Sequence, residues 1–344
     1  MEHVICLGFA KCGTTLLHEI FSSTPGFEVP FTEKEIKYFT GNEISLDGYR
    51  KHFDEKLNSD SVLFEASPQY VTGLAINQIK KTLHNIKSVI PDAQLIFCIR
   101  HPIYRAYSHY VHDVQNFARY GSERHRFIKD HPMNLLKTPY VHSFEYELEN
   151  STKIHLSYVK PIQLALENFP PRKIKFFFLE DHVKSFSTFF KELTRDFSFI
   201  DSNFWNNKKV PLVLGRKEFP AYLCKGIDTP TERLNLADNE LLVASHKGYF
   251  KLDNIAKETA KRISNSQDMW TKSVTADQFS DYFDRYFRND MEILTQVLNE
   301  RGIDSSMAES YLDFEYKPVN LDTITPDPEK ADICDSFPGL IPSG

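Results

Sequence analysis

The chain reads Gly8-Phe9-Ala10-Lys11-Cys12-Gly13-Thr14-Thr15 between an apolar run at 4–7 and an amphipathic run at 16–21. This order predicts a buried strand, a tight turn bounded by glycines and the start of a helix. Such a corner aims backbone N–H groups and the positive end of a helix at a phosphate. We therefore expect the rest of the chain to be organised around an anion-binding loop.

The spacing of the glycines indicates which kind of phosphate site this is. Gly8 and Gly13 keep the spacing of the loop G-x-x-x-x-G-K-[ST], but Lys11 lies inside the loop and Thr14 stands where the kinase lysine would be. That change argues against MgATP. A lysine inside the loop can reach the bridging oxygen of a transferred group, where a metal-free enzyme must stabilise negative charge. The alternative is an ordinary strand-turn-helix corner with an incidental lysine.

Composition limits the class of protein. The 344 residues are 41% hydrophobic, which is ample for a core, and Lys+Arg 41 against Asp+Glu 47 give a net charge of −6. This balance provides no general basic field for nucleic acid or an anionic membrane, so an anionic ligand must be met by local clusters. The five cysteines lack metal-ligand spacing, which predicts no metal site, reduced thiols and a cytoplasmic protein.

The hydropathy pattern bears on membranes and targeting. No apolar stretch approaches the roughly 20 residues that span a bilayer. The first predicted strand begins close to Met1, which leaves no room for a cleavable signal. We therefore expect no stable membrane insertion, while the oligomeric state has no signal in the sequence.

Strand and helix patterns alternate along most of the chain. Apolar strand patterns occur at 4–7, 62–64, 94–99 and 174–179, and helical patterns at 14–23, 47–57, 73–90, 156–168 and 181–195. Because the strands are nearly continuous apolar runs, we expect an α/β fold with a central parallel sheet flanked by helices on both faces.

We expect a single domain over residues 1–316. Its core is expected at about 3–220, with an insertion at about 225–275 and a C-terminal helix at about 277–300. The tail at 317–344 contains five prolines, which predicts an extended arm or disorder.

A second candidate corner for an anion follows the strand at 94–99. Arg100 comes directly after this strand, and Pro102 is pre-organised for the start of a helix. Arg100 is then at the corner, and Ser108 lies about two turns further along the helix. An arginine and a hydroxyl so placed can hold a second phosphate. The alternative is an ordinary polar helix face.

Three further segments carry candidate functional residues. Glu33 and Glu35 precede a short aromatic run, so Glu35 is either a general base facing the loop or part of a solvated turn. Pro68 fixes a turn after a short strand, a usual place for substrate contacts. The basic loop at 215–220 either folds over a bound nucleotide or is exposed.

The two corners together resemble motifs of the sulfotransferase family. Residues 8–15 resemble its 5′-phosphosulfate-binding loop, and Arg100-x-Pro-x-x-Arg-x-x-Ser-x-Tyr resembles its 3′-phosphate-binding motif, in the expected order. Residues 35–39 and 65–70 narrow the resemblance to the heparan sulfate N- and 3-O-sulfotransferase domains and their bacterial relatives. The resemblance covers roughly residues 3–200.

The resemblance implies a P-loop-like sulfotransferase fold and metal-free transfer of a sulfuryl group from 3′-phosphoadenosine 5′-phosphosulfate (PAPS), leaving adenosine 3′,5′-bisphosphate (PAP). The implied acceptor is a hydroxyl, in preference to an amine, of a carbohydrate or a small metabolite. Lys11 would stabilise charge on the bridging oxygen, and Glu35 would be the general base. The residues implied to bind the donor are Lys11, Cys12, Gly13, Thr14, Thr15, Arg100, Ser108, Arg216 and Lys217, and those implied to contact the acceptor are Lys37, Gln69 and Tyr70.

The chain departs from the family pattern at three positions. His101 replaces the usual Asp or Asn after the arginine, which concerns local hydrogen bonding. Ala66 stands where many glycan enzymes have a lysine that contacts the acceptor, and Lys37 where some have histidine. The last two departures argue against a heparan-like acceptor.

Two other classes of protein stay open. A small-molecule kinase would have a lysine after Gly13 and an acidic Mg²⁺ ligand at a strand end, and the sequence offers neither. A non-catalytic nucleotide-binding protein would need no base. An activity that depends on Glu35 would therefore indicate an enzyme and argue against a non-catalytic nucleotide-binding protein.

Overall fold

The computed structural model describes residues 1–53, 60–120, 143–150, 157–206, 208–210, 218–219, 221–224, 241–245, 248–252, 266–325 and 333–334. The chain divides into two compact units. The first comprises Met1–Arg105, His155–Leu214 and Asp281–Glu315, and the second comprises Ala106–Ile154, Gly215–Ser280 and Tyr316–Gly344. The single domain and its insertion stay predictions, and the predicted insertion lies within the second unit.

The first unit is built on a five-stranded sheet. Its strands are β1 Glu2–Gly8, β2 Phe27–Glu28, β3 Val62–Ala66, β4 Gln94–Ile99 and β5 Ile174–Phe178. The strand order is β2-β3-β1-β4-β5, and every neighbouring pair is parallel. Every residue of β3 and β4 is buried, which explains why these strands are apolar apart from Glu65 and Gln94. The predicted α/β fold with a central parallel sheet is confirmed.

Helices of the first unit flank this sheet. In chain order, the helices of the described residues in both units are α1 Thr14–Ser22, α2 Leu46–Arg50, α3 Ile76–Val89, α4 Pro102–Tyr120, α5 Phe144–Asn150, α6 Val159–Asn168, α7 Leu179–His182, α8 Phe186–Thr194, α9 Ala276–Tyr286, α10 Arg288–Glu300 and α11 Ser306–Glu309. The boundaries between the two units fall within α4 and α9, and α5 belongs to the second unit.

Aromatic packing joins α1 to the sheet. The ring of Phe21 lies 4.6 Å from that of Phe27 and 4.4 Å from that of Phe64, measured between centroids. All three side chains are buried. Truncating such a phenylalanine to alanine costs about 3–5 kcal/mol, so this cluster fixes α1 and the loop before it against β2 and β3.

Three predicted helices have different bounds in the structure. The helix predicted at 47–57 ends at Arg50, and the one predicted at 181–195 is divided into α7 and α8. Between those two, the Ser185 hydroxyl donates to the carbonyl of Asp181. The helix predicted at 277–300 is α9 and α10, separated at the buried residue Phe287, whose φ of −130° is not helical.

The second unit contains two small sheets. Strands β6 Ala221–Cys224, β7 Leu241–Ser245 and β8 Gly248–Leu252 form an antiparallel meander, which β11 Ile333–Cys334 extends in parallel to β8. Strand β9 Ser273–Val274 pairs antiparallel with β10 Val319–Asn320. In the predicted tail, the described residues Val319–Asn320 and Ile333–Cys334 are thus paired strands. Within the described ranges, no helix combines the length and apolar character that crossing a membrane requires.

Candidate functional site

The carboxyl ends of the parallel strands meet at one edge of the first unit. From β1 the chain passes to β2 and β3 on one side, and it then crosses to β4 and β5 on the other. The gap between β1 and β4 is therefore the topological switch point, where doubly wound sheets bind ligands. The loop after β1 lies here, and the Phe9 N–H donates to the carbonyl of Cys98 in β4 at 2.8 Å.

The loop needs glycine at both of its ends. Gly8 has φ +145° and Gly13 has φ +96°, conformations that side chains disfavour. A Cβ on Gly8 would lie 2.7 Å from Cγ2 of Val71, and a Cβ on Gly13 would lie 2.7 Å from Cδ1 of Leu179. Lys11, between them, is also left-handed with φ 67°. Left-handed residues before a helix are elements of anion-binding nests.

The start of α1 presents backbone donors. The first hydrogen bond of the helix runs from Leu17 N–H to the Gly13 carbonyl at 3.0 Å. The N–H groups of residues 14–16 precede it and have no acceptor within their own helix. Thr14 is buried, and Thr15 is exposed. The sequence-predicted phosphate donors therefore lie together at a helix N-terminus, which suits an anion.

A lysine that the sequence interpretation missed lies beside this helix start. Lys34 Nζ donates to the hydroxyl of Thr15 at 3.1 Å and to Oε1 of Glu35 at 3.1 Å. The side chains of Lys34 and Glu35 are 22% and 31% exposed, so solvent can reach both. One ammonium thus connects the candidate base to the first turn of α1.

The turn after Glu35 is held by backbone hydrogen bonds to neighbouring elements. Lys37, with φ 52°, donates its N–H to the Ser67 hydroxyl at 3.2 Å. Phe39 donates its N–H to the Tyr70 hydroxyl at 3.3 Å. The Asn85 side chain donates to the carbonyls of Phe39 and Gly41, at 2.9 and 3.2 Å. The 3₁₀ turn Tyr38–Thr40 is therefore held by hydrogen bonds from backbone N–H groups and to backbone carbonyls in and beside it.

A buried carboxylate lies beneath this turn. Glu65, at the end of β3, is 0% exposed and accepts from the Ser67 hydroxyl at 3.0 Å and from the Tyr70 hydroxyl at 2.9 Å. Burial raises the pKa of Glu65 to about 8, although the two hydrogen bonds act in the opposite direction. Tyr70 is also 0% exposed, so its expected contact with an acceptor is corrected to an internal one. Gln69 is exposed, and its acceptor role stays a prediction.

The arginine corner contains a carboxylate that the sequence did not indicate. Arg100 Nε lies 3.5 Å from Oε1 of Glu180, in α7. Oε2 of Glu180 accepts from the His101 N–H at 3.3 Å and from the Tyr311 hydroxyl. Glu180 thus lies beside the Arg100 guanidinium, and the binding of a phosphate by Arg100 stays a prediction.

Tyr158 connects the loop to the arginine corner. Its hydroxyl donates to the carbonyl of Arg100 at 2.8 Å and lies 3.5 Å from Sγ of Cys12. The ring of Phe9 meets the Tyr158 ring edge-on at 4.6 Å, and Cζ of Arg105 lies 5.6 Å from the same ring. Cys12 is itself buried, and its N–H donates to the Phe9 carbonyl. The Cys12 side chain therefore packs inward against Tyr158 and is shielded from solvent.

His101 is a packing residue. It is 0% exposed, and its Nε2 lies 3.2 Å from the Tyr311 carbonyl. Its ring packs against Phe283 and Phe314, with centroids 4.8 and 4.6 Å away. Burial lowers the pKa of His101 to about 3, so the ring is neutral. The departure from Asp or Asn at this position is thus accommodated by an aromatic cluster.

The remaining predicted residues are not brought together by the described structure. Arg100 belongs to the first unit and Ser108, in α4, to the second, so their pairing on one phosphate stays a prediction. Arg216 and Lys217 lie outside the described residues. Among the side chains that the structure describes, no group of three or more His, Cys, Asp or Glu could hold a metal ion. A metal-free reaction stays a prediction.

Comparisons with known proteins give structural likenesses only. No family model matches the chain, and no curated protein does. A sulfotransferase from Alicyclobacillus acidocaldarius is 19% identical over 59% of this chain and 83% of its own, with a TM-score of 0.42. The sulfotransferase domain from the curacin biosynthetic pathway is 14% identical over 60% and 78%, with a TM-score of 0.35. The mouse sulfotransferase SULT7A1, complexed with PAP, is 15% identical over 91% and 89%, with a TM-score of 0.43.

Proposed function

We propose that the protein transfers a sulfuryl group from PAPS to a hydroxyl, in preference to an amine, of a carbohydrate or a small metabolite. The observation that carries this proposal is the Lys34 contact. A solvent-accessible carboxylate, that of Glu35, is joined by one ammonium to Thr15 at the start of the anion-binding helix. A base next to a phosphate cradle is the arrangement that group transfer to a hydroxyl requires.

The residues present fit a donor with two phosphates. The N–H groups at the start of α1, together with Thr14 and Thr15, would hold the 5′-phosphate. Arg100 would bind the 3′-phosphate, and the Tyr158 hydroxyl keeps the Arg100 backbone at a set position relative to Cys12 in the loop. The close contacts of Gly8 and Gly13 leave no room for side chains at the loop ends, which supports a tight cradle.

In the proposed reaction, Glu35 and Lys11 have separate roles. The acceptor oxygen forms a bond to sulfur while the bond from sulfur to the bridging oxygen of the donor breaks. Glu35 takes the proton that the acceptor hydroxyl loses. Lys11 offsets the negative charge that develops on the bridging oxygen. A positioned base contributes about 10²–10⁴-fold, and preorganised charge at the leaving oxygen contributes comparably.

The acceptor side is proposed to lie above the turn that follows Glu35. Lys37 is partly exposed, and Gln69 is exposed in the 3₁₀ turn Pro68–Tyr70 that follows β3. Polar side chains at the rim suit an acceptor rich in hydroxyl groups. Ala66 and Lys37, in place of residues typical of heparan-modifying enzymes, favour a different carbohydrate or a small metabolite.

A transfer assay tests this function. The purified chain is incubated with radiolabelled PAPS and a panel of saccharides, phenols and amines, and both labelled product and released PAP are measured. Transfer that persists in EDTA and is abolished by Glu35→Gln supports the proposal. Phosphoryl transfer from MgATP would establish the kinase class instead. PAP binding without transfer to any acceptor would indicate a non-catalytic nucleotide-binding protein.

A further inference from the structure

We propose that Glu65 is a positioning residue: through the hydroxyls of Ser67 and Tyr70, its carboxylate fixes the turn at 37–39 that follows Glu35. The ordering of this turn is inferred from contacts alone. The consequence for Glu35 rests on the function proposed above. The resemblance at residues 65–70 included Glu65 but gave it no role, and the residue is the last but one of strand β3.

The geometry has two parallel branches. In one, Lys37 N–H donates to Ser67 Oγ, and that hydroxyl donates to Oε2 of Glu65. In the other, Phe39 N–H donates to Tyr70 Oη, and that hydroxyl donates to Oε1 of Glu65. Each carboxylate oxygen thus terminates one branch. The two branches hold residues that are two and four positions beyond Glu35.

Counting hydrogens explains why a carboxylate belongs at the end of both branches. A backbone N–H can only donate, so each hydroxyl must accept from the turn and has its own hydrogen left to give. An ionised carboxylate accepts both hydrogens. A protonated carboxyl, or the amide of glutamine, brings a donor of its own and opposes one hydroxyl. The ionised form therefore completes both branches, and the neutral form disrupts one.

The surroundings of Glu65 determine the pH at which it changes from the neutral to the ionised form. The titratable groups that face it are the phenols of Tyr70 and Tyr49, and burial raises the pKa of both phenols far above the range in which Glu65 titrates. Burial also raises the pKa of Glu65 itself to about 8. Raising the pH through this value ionises Glu65 alone in the network and completes both branches. We therefore expect local opening of the turn to become less favourable, although ionising a buried carboxyl lowers the stability of the fold as a whole.

Amide hydrogen exchange of the full chain tests the ordering directly, without any substrate. In the wild type, protection of the Lys37 and Phe39 amides, corrected for intrinsic exchange, should increase as the pH rises through about 8. Ser67→Ala should lower protection of Lys37 first, and Tyr70→Phe that of Phe39 first, each by about tenfold, as expected for one lost hydrogen bond. Glu65→Gln should lower protection at one or both amides and abolish the pH step.

Tyr49→Phe is the matched control. It removes a phenolic hydroxyl from a fully buried ring whose pKa also responds to Glu65, but the described contacts do not connect that hydroxyl to the turn. Its exchange pattern at 37–39 should equal that of the wild type. Unchanged protection in both Ser67→Ala and Tyr70→Phe would overturn the proposal, and these two variants decide the question even if Glu65→Gln fails to fold.

An activity measurement separates this proposal from the proposed function. If both hold, Glu65→Gln should lower turnover with PAP affinity unchanged, and the wild-type turnover should rise with pH through the same value as the amide protection. If the amides respond but no sulfuryl transfer is found, the ordering role of Glu65 stands and the proposed function fails. If transfer is found but the amides do not respond, the role of Glu65 fails alone.

Discussion

Lys34 and Glu35 are neighbours in the chain, and the ammonium of Lys34 donates to the carboxylate of Glu35 at 3.1 Å while it also donates to Thr15. A pair this exposed contributes at most about 1 kcal/mol to folding. Its importance is therefore positional. The pair holds a carboxylate against the first turn of α1, where an anionic ligand would bind.

Lys34→Gln should separate stability from activity. We expect the free energy of unfolding to change by less than about 1 kcal/mol, because the pair is solvent-accessible. Turnover should fall by about 10- to 100-fold, since a charge-assisted hydrogen bond that orients Glu35 is lost. Sulfuryl transfer kinetics and urea unfolding measure the two effects. Lys80→Gln, at an exposed position of α3, is the control and should alter neither.

Glu35→Gln keeps the size of the side chain and removes its basicity. Turnover should fall by about 10²–10⁴-fold, and PAP affinity should stay within twofold or so of the wild type. Steady-state kinetics and calorimetric titration with PAP provide the two numbers. Glu33→Gln, two residues earlier and exposed, is expected to be mild. Loss of activity in Glu33→Gln alone would show that the base had been assigned to the wrong carboxylate.

Arg100→Ala should weaken PAP binding by about 1.5–3 kcal/mol, the range for a hydrogen bond to a charged group. AMP, which lacks the 3′-phosphate, should lose much less affinity. Calorimetric titration of wild type and variant with both nucleotides measures the difference. An equal loss for AMP would contradict the assignment of Arg100 to the 3′-phosphate, and collapsed turnover with intact PAP affinity would assign it to the chemistry.

Gly8→Ala and Gly73→Ala form a matched pair for the cost of the loop. Both positions have positive φ, but the new Cβ at Gly73 meets nothing within 4 Å. At Gly8 it would lie 2.7 Å from Val71 and 3.3 Å from the Pro68 carbonyl oxygen. Both variants carry about 1–2 kcal/mol of backbone strain, and Gly8→Ala should lose more stability because of the added clash. Equal midpoints of urea unfolding would refute the tight contact.

Stability should depend on pH through Glu65. The folded-state pKa of about 8 lies above the ordinary 4.5, so between these values the folded chain holds a proton that the unfolded chain releases. Stability therefore falls as the pH rises through this window. From pH 6.5 to 8 the loss from Glu65 is on the order of 2 kcal/mol at most. Burial lowers the pKa of His3, His101 and His182, so these residues add a change of opposite sign as their unfolded forms lose the proton, and this change is mostly complete about one pH unit above the ordinary value of 6.5. Urea unfolding of Glu65→Gln should show this slope flattened.

Local patterns were sufficient for the main fold. The run at 94–99 matches β4 residue for residue, and the glycine-bounded stretch gives the loop and the start of α1, because strand burial and helix starts depend on neighbouring residues. The contacts of Thr15 with Lys34 and of Arg100 with Glu180 span 19 and 80 positions, and spacing does not encode them. The break between α9 and α10 at Phe287 was not predicted, because the helical spacing of the apolar residues continues through it.

The role of Glu65 was not predicted, because the stretch 65–70 shows a polar residue after an apolar run but not which side chains face each other. Its role depends on Ser67 and Tyr70, which lie on either side of Pro68 and both donate to it, and on a turn some 30 residues earlier in the chain. The misassignment of Tyr70 has the same origin. A tyrosine after a proline turn is equally suited to face a substrate or the interior, and only the tertiary fold decides.

The burial of Cys12 has a practical consequence. Because burial raises the pKa of this thiol to about 11, the thiolate that reacts with electrophiles is a very small fraction at neutral pH. Cys6 and Cys98 are buried as well. Covalent inhibitors aimed at thiols would therefore find little to attack in the loop, despite its cysteine. A thiol-directed spectroscopic label beside this loop requires an introduced cysteine instead, and Gln69→Cys, at an exposed position of the 3₁₀ turn Pro68–Tyr70, would supply one.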